Sequence, residues 1–232
     1  MDPARREEPQ MTEAPRPLLQ GAAEWRLLSL LFEYPAGDWR RHVEAVTPEI
    51  SDPLLTEAAT AALEQAAEGI HHSIFGPGGP VPPREASYLT GIQLGYLLAE
   101  LSDLYQNFGY HPSSTESPDH LSVQAGFLAF LQFKLAFETA SGNPDHAALC
   151  QQGIDYLLKE HLSQLAEPVA AALESVGPPY LVLAGRALLA RVGPAEPRPG
   201  LAIPGLVAGD EEAEITCGAA PSVPDPLVQL PT

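Results

Sequence analysis

Between Leu121 and Phe137 the sequence carries Leu121, Val123, Ala125, Phe127, Leu128, Phe130, Leu131, Phe133, Leu135 and Phe137. Wound as a helix, this stretch is apolar on nearly every side, and such a helix has to be covered by others. It is therefore expected to be the central buried helix. Ser117 reads as its N-cap, Pro118 as its first helical residue, and Asp119 as a first-turn acid favoured by the helix dipole.

The rest of the chain supplies the cover. A first helix is expected from Ala22 to Phe32, with Trp25, Leu28, Leu31 and Phe32 on one face, ended at Tyr34-Pro35. A second, Ala-rich stretch runs from about Pro53 to His72, and Gly76-Pro77-Gly78-Gly79-Pro80-Val81-Pro82-Pro83 breaks the pattern sharply. From about Arg84 to Tyr105, Leu94, Leu97, Leu98, Leu101, Leu104 and Tyr105 recur at three- and four-residue steps, as on a helix face. Asn143-Pro144-Asp145-His146 opens a further helix reaching about His161. A last pair flanks Gly177-Pro178-Pro179, the final one running from Tyr180 to Val192.

Ala and Leu dominate while Val, Ile and Thr are scattered, and no apolar alternation exceeds four residues. The expected fold class is all-α: a single helical domain, a bundle over residues 21–192. Residues 1–20 and the Pro-rich, acidic residues 193–232 lack helical periodicity and are expected to be flexible tails.

The net charge is -18, and the acidity is not confined to the tails. Residues 21–192 hold eight Lys or Arg against twenty Asp or Glu. Such a surface repels phosphate backbones, so nucleic acid is not an expected partner, whereas cationic partners such as an Arg-bearing peptide are attracted. The same acidity also serves plain solubility. Two cysteines, Cys150 and Cys217, build neither a disulfide framework nor a metal-ligand spacing, which fits a reducing, cytoplasmic location. Arg5-Arg6 is followed by Glu7, Glu8 and Pro9 rather than an apolar run, so it does not read as an export signal. Leu27 to Phe32 is too short to span a membrane, and no stable membrane insertion is expected.

The chemistry-bearing residues gather around one loop. Asp119-His120 pairs a carboxylate with an imidazole, as general acid–base chemistry requires. However, Pro-Asp-His recurs at 144–146, again behind a good N-cap, so the tripeptide is also ordinary capping. Glu116 and the turn Tyr105-Gln106-Asn107-Phe108-Gly109 set the first copy apart. Tyr88, Tyr96, Tyr105, Phe108 and Tyr110 cluster around the same loop, either as core or as the lining of a peptide groove. His71-His72 point about 100° apart on a helix and are expected at the surface, with no metal bound. The Gly76–Pro83 loop has no strand before it and no Lys-Ser/Thr after it, so it is not a phosphate loop. There is no Gly-x-Ser-x-Gly elbow, and Cys150 has no nucleophile motif.

These residues carry a resemblance. Over roughly residues 22–192 the chain resembles the TorD/DmsD/NarJ family of molybdoenzyme maturation chaperones. The match rests on Leu30-Leu31-Phe32 with Tyr34-Pro35, and on Phe75-Gly76-Pro77-Gly78 leading to Pro83-Arg84-Glu85-Ala86-Ser87-Tyr88. It continues through Tyr105 to Gly109, Glu116-Ser117-Pro118-Asp119-His120-Leu121 and the closing Tyr180 helix. The Phe-Gly-Pro-Gly and Pro-x-Glu-x-x-Tyr phrases look most like the branch serving exported members of the dimethyl sulfoxide reductase superfamily. Where the family commonly continues Glu-Leu-Glu-Phe-Met, this chain reads Gln124-Ala125-Gly126-Phe127-Leu128. Two acids are missing, and Gly126 inside a helix costs about 1 kcal/mol against Ala, which points to a close packing contact.

The resemblance implies a cytoplasmic chaperone that is not an enzyme and needs no cofactor. Its partner would be an apo molybdopterin oxidoreductase catalytic subunit, bound at its leader peptide or adjoining region and held back from export until the cofactor is inserted. Glu116, Asp119, His120 and Leu121, with Tyr88, Tyr105 and Phe108, are the expected peptide-binding residues, the acids meeting a guanidinium pair. The protein would be a monomer or a domain-swapped dimer. Two other readings are a hydrolase or nucleotide-using enzyme centred on Asp119 and His120, and an acidic scaffolding adaptor.

Overall fold

The apolar run does form the helix on which the fold is built. The structure is a computed structural model that describes residues 15–91 and 93–194. Its helices are α1 (Arg16–Leu31), α2 (Trp39–Val46), α3 (Pro53–Gln65), α4 (Glu68–Phe75), α5 (Leu94–Phe108), α6 (Leu121–Ala140), α7 (Pro144–Tyr156), α8 (Ser163–Val176) and α9 (Pro179–Val192). Short 3-10 turns occupy Thr47–Glu49 and Glu85–Ser87, and a π-helical turn, Leu157–Leu162, joins α7 to α8 without a break. No strand occurs among the described residues, and the class is all-α.

α6 packs along α1, and α7 lies against α6, while α9 packs on α3 and α8. Leu121, Val123, Phe127, Leu128 and Leu131 of α6 are buried, as are Trp25, Leu27, Leu28, Leu30 and Leu31 of α1. α1 is thus apolar on more than one face, and Trp39 of α2 donates its indole N–H to the Leu30 carbonyl at 2.7 Å. In its second half α6 keeps Leu131, Leu135 and Ala136 buried but turns one face to solvent, where Phe133 is 57% and Phe137 61% exposed.

The tight α1–α6 approach explains the glycine in α6. A Cβ on Gly126 would sit 2.7 Å from Tyr110 Oη and 3.1 Å from Ser29 Oγ. Ser29 donates its hydroxyl to the Ser122 carbonyl at 2.8 Å across this contact. Around Phe127 an aromatic cluster forms from Tyr105, Tyr110 and Phe108, with ring centroids 4.7, 5.2 and 5.9 Å from its own. Emptying such a site by Phe127→Ala costs about 3–5 kcal/mol.

Several expected boundaries move. α1 begins at Arg16, so residues 16–20 of the segment expected to be flexible are helical, with Pro17 placed where a missing N–H costs nothing. Residues 1–14 and the expected tail beyond residue 194, including Cys217, lie outside the described residues. The Pro53–His72 stretch is two helices, divided at Ala66-Ala67, whose backbone is extended. Asp52 caps the first of them, accepting from the Leu54 N–H at 2.7 Å.

The helix expected from Arg84 begins only at Leu94, because the preceding segment makes just a short 3-10 turn at Glu85–Ser87 and is tied to Asp119 and to Leu121 and Gln124 of α6. α5 ends at Gly109, whose φ of +73° is the left-handed conformation that glycine adopts without strain. The helix opened by Pro144 continues past His161 through the π turn to Val176.

Candidate functional site

Arg84 and His120 have extended backbones, and the two loops that carry them meet in front of α6. Arg84 and His120 form an antiparallel bridge. The Glu85 N–H donates to the Asp119 carbonyl at 2.9 Å, and the Leu121 N–H donates to the Pro83 carbonyl at 2.8 Å. Tyr105, at the end of α5, donates its hydroxyl to the Pro118 carbonyl at 2.7 Å. Burial pushes that phenol well above its ordinary value, so it stays protonated as a donor. Three chain segments are thereby fixed at one corner.

Two buried carboxylates anchor it. Asp119 is fully buried and is surrounded by donors: Arg84 Nε at 3.0 Å, the Ala86 N–H at 3.3 Å and the Ser117 hydroxyl at 2.5 Å. Glu85, also fully buried, accepts from the Gln124 amide at 2.7 Å and lies 3.0 Å from His161 Nδ1. His161 sits on the π turn, a geometry frequent at functional positions. Its Nε2 has no hydrogen-bond partner and lies 3.9 Å from the Glu100 carboxylate.

The helix start differs from the expected one. His120, not Ser117, is the N-cap of α6, and its Nδ1 accepts from the Ser122 N–H at 3.2 Å. Ser117 and Asp119 instead belong to the turn before the helix, because the Asp119 carboxylate is drawn to Arg84 rather than to the helix amides. Burial, reinforced by His71, pulls the His120 pKa down to about 4, so the ring is neutral near pH 7. Asp119 does not orient the imidazole, since each has its own partners. The acid–base dyad suggested by Asp119-His120 is not formed.

A cleft of about 470 Å³ opens at this corner, lined among others by Tyr34, His72, Gly78, Arg84, Glu116 and His120. Glu116 has its side chain 41% exposed, 4.0 Å from His120 Nε2. His71, expected at the surface, is buried: its Nε2 lies 3.4 Å from the Phe32 carbonyl and its ring packs on Phe75. A second, more apolar groove of about 510 Å³ lies between α1, α2 and α6, with Leu19, Ala22, Val46, Phe130 and Phe133 in its walls.

The expected site residues fall into three kinds. Glu116 is exposed in the cleft. Asp119, His120, Leu121 and Tyr105 are at the corner but buried, so they shape it from within. Tyr88 and Phe108 are half-buried and lie apart from the cleft lining. The Tyr88 hydroxyl donates to the Pro82 carbonyl, and the Phe108 ring packs on Phe127.

Sequence reasoning assigned no site role to Arg84, Glu85, Gln124 and His161, whose side chains secure the corner. The first two stand inside the Pro-x-Glu-x-x-Tyr phrase, but nothing in their spacing points to partners 35 and 76 residues away. Among the described residues no group of His, Cys, Asp or Glu is arranged to hold a metal ion. None of their helices is long and apolar enough to cross a membrane.

A family model described as the nitrate reductase delta subunit matches residues 37–171, more than half of the chain. The chain belongs to that family. The region matching the delta-subunit family runs from just before α2 into α8 and contains the corner, both of its loops and the π turn. This agrees with the TorD/DmsD/NarJ resemblance, which the same loops carry. A crystal structure from Archaeoglobus fulgidus, described as a redox enzyme maturation protein, is similar at 24% identity and a TM-score of 0.49. The alignment covers 74% of this chain and 93% of that one. No curated protein matches the chain.

Proposed function

We propose that this protein is a maturation chaperone for a molybdopterin oxidoreductase of the dimethyl sulfoxide reductase superfamily. In this reading it binds the leader or adjoining N-terminal region of the apo catalytic subunit in the cytoplasm. The client is kept from export until its cofactor is inserted, and the chaperone performs no catalysis itself. The observation that carries the reading is the cleft between the Gly76–Arg84 loop and Glu116, within the part of the chain that matches the delta-subunit family.

Glu116 is the accessible carboxylate, suited to a guanidinium of the leader through charge-assisted hydrogen bonds. Asp119, His120, Leu121 and Tyr105 hold the corner in shape. Tyr88 and Phe108 stand outside the cleft lining, and in this reading their partly exposed rings meet the leader's apolar part. The loop after α5 lines both cavities, with Tyr110 and Ser113 in the apolar groove and Glu116 in the cleft. One bound segment can therefore place its basic residues in the cleft and its apolar run in the groove.

Calorimetry with a basic leader peptide from a molybdoenzyme tests this. Glu116→Gln should weaken binding by about tenfold, the size of one lost charge-assisted contact, without changing thermal stability. Unchanged affinity in that variant would remove Glu116 from the site, and absence of binding by the wild type would remove the leader as ligand.

A further inference from the structure

We propose that the Arg84 side chain is an internal competitor for the Asp119 carboxylate, a stopper that a partner's guanidinium displaces on binding. The proposal rests on the leader-binding reading above and concerns how that same site is regulated.

Asp119 is fully buried, and Arg84 is the cation paired with it. The contact is a poor one for such a pair. A single nitrogen, Nε, is shared between Oδ1 at 3.0 Å and Oδ2 at 3.3 Å, whereas guanidinium and carboxylate pair best through two parallel N–H bonds. The Arg84 side chain is 39% exposed and lines the cleft together with Glu116. Rotation about its own torsions is enough to take it off Asp119 and into a space where another carboxylate stands.

The next residue does the opposite. Glu85 is fully buried on Gln124 and His161, and its N–H is bonded to the Asp119 carbonyl. The backbone of the Pro83–Ala86 loop is therefore held while the Arg84 side chain moves. An anchor and a stopper sit side by side.

This arrangement makes the exchange selective. A guanidinium that replaces Arg84 leaves the buried carboxylate neutralised, so no buried charge is stranded. A neutral group in the same place would leave Asp119 unpaired in the interior, which is strongly unfavourable. Arg84 thus keeps the site closed to neutral ligands. It lowers the apparent affinity for arginine-bearing ones by the fraction of time that it occupies Asp119.

The test uses fluorescence anisotropy with two synthetic peptides, one with paired arginines ahead of an apolar run and one with both arginines replaced by citrulline. Arg84→Gln should tighten binding of the arginine peptide by about tenfold and that of the citrulline peptide by far less, because only a guanidinium neutralises the freed Asp119 carboxylate. Arg84→Lys should lie between wild type and Arg84→Gln. The double variant Arg84→Gln/Asp119→Asn should lose the gain, because the gain runs through Asp119.

Equal or weaker binding of the arginine peptide by a folded Arg84→Gln overturns the competitor while leaving leader binding intact. If Arg84→Gln unfolds, Arg84→Lys, which keeps the cation, decides in the same way. Absence of binding to either peptide by all the proteins overturns the leader-binding reading and the competitor with it.

Discussion

Gln124 donates its side-chain amide to the Glu85 carboxylate across 2.7 Å, with both groups fully buried. The TorD/DmsD/NarJ resemblance leads to the expectation of an acid at this position, and the contact explains why an amide suits this chain. A carboxylate at 124 would stand within hydrogen-bonding distance of a second one, away from water.

Gln124→Glu is therefore expected to destabilise the protein by roughly 3 kcal/mol or more near pH 7, the cost of an uncompensated buried charge. The loss should shrink as the pH is lowered and one of the two acids takes up a proton. Urea unfolding at pH 7.5 and 5.5 reads both effects. Equal losses at the two pH values would show that the pair is not in electrostatic contact.

Gly126→Ala sets helix propensity against packing. Alanine gains about 1 kcal/mol in a helix interior, but its Cβ would come within 2.7 Å of Tyr110 Oη and 3.1 Å of Ser29 Oγ. Overpacking of this kind costs about 1–3 kcal/mol, so a net loss is expected. Adding Tyr110→Phe removes the nearest atom and should restore most of it. Thermal melts of the single and double variants check this, and a stabilised Gly126→Ala would mean that α1 and α6 are not as close as described.

The His120 imidazole gives the fold a pH dependence of definite sign. Its pKa is about 4 in the folded protein against 6.5 for a free side chain. The unfolded chain takes up a proton below 6.5 and the folded one only near 4, so stability falls as the pH drops through that window. The loss is on the order of 3 kcal/mol. Buried His71 is lowered as well, chiefly by burial, and acts in the same direction. His120→Asn keeps a capping side chain at the start of α6 and should flatten the slope between pH 6.5 and 4. Stability profiles that remain parallel would contradict the neutral, buried ring.

The helices were legible where periodicity and punctuation agree. Leu121 to Leu135, Asn143-Pro144 and Gly177-Pro178-Pro179 each carry a local signal, and the structure puts element boundaries there, whereas α5 runs past its expected end at Tyr105 to Phe108. The corner was legible only in outline. Ser117-Pro118-Asp119 has every mark of a helix start, yet a long-range partner, Arg84, draws the Asp119 carboxylate away and moves the cap to His120. Likewise Leu94 to Tyr105 shows its period plainly. Nothing local revealed that Arg84 to Tyr88 is held by α6 and the π turn instead of joining that helix. His71 illustrates the same limit, since adjacency to His72 suggested exposure whereas the packing of Phe32 and Phe75 decided burial.

The most direct test of the chaperone reading is affinity purification of the protein from its native cells, in wild-type and Glu116→Lys forms, with the captured proteins quantified by mass spectrometry and assayed for molybdopterin. The account predicts that a molybdopterin oxidoreductase catalytic subunit, empty of cofactor, dominates the wild-type capture and is depleted with Glu116→Lys. Capture of the cofactor-loaded enzyme alone, or of no molybdopterin oxidoreductase at all, would contradict it.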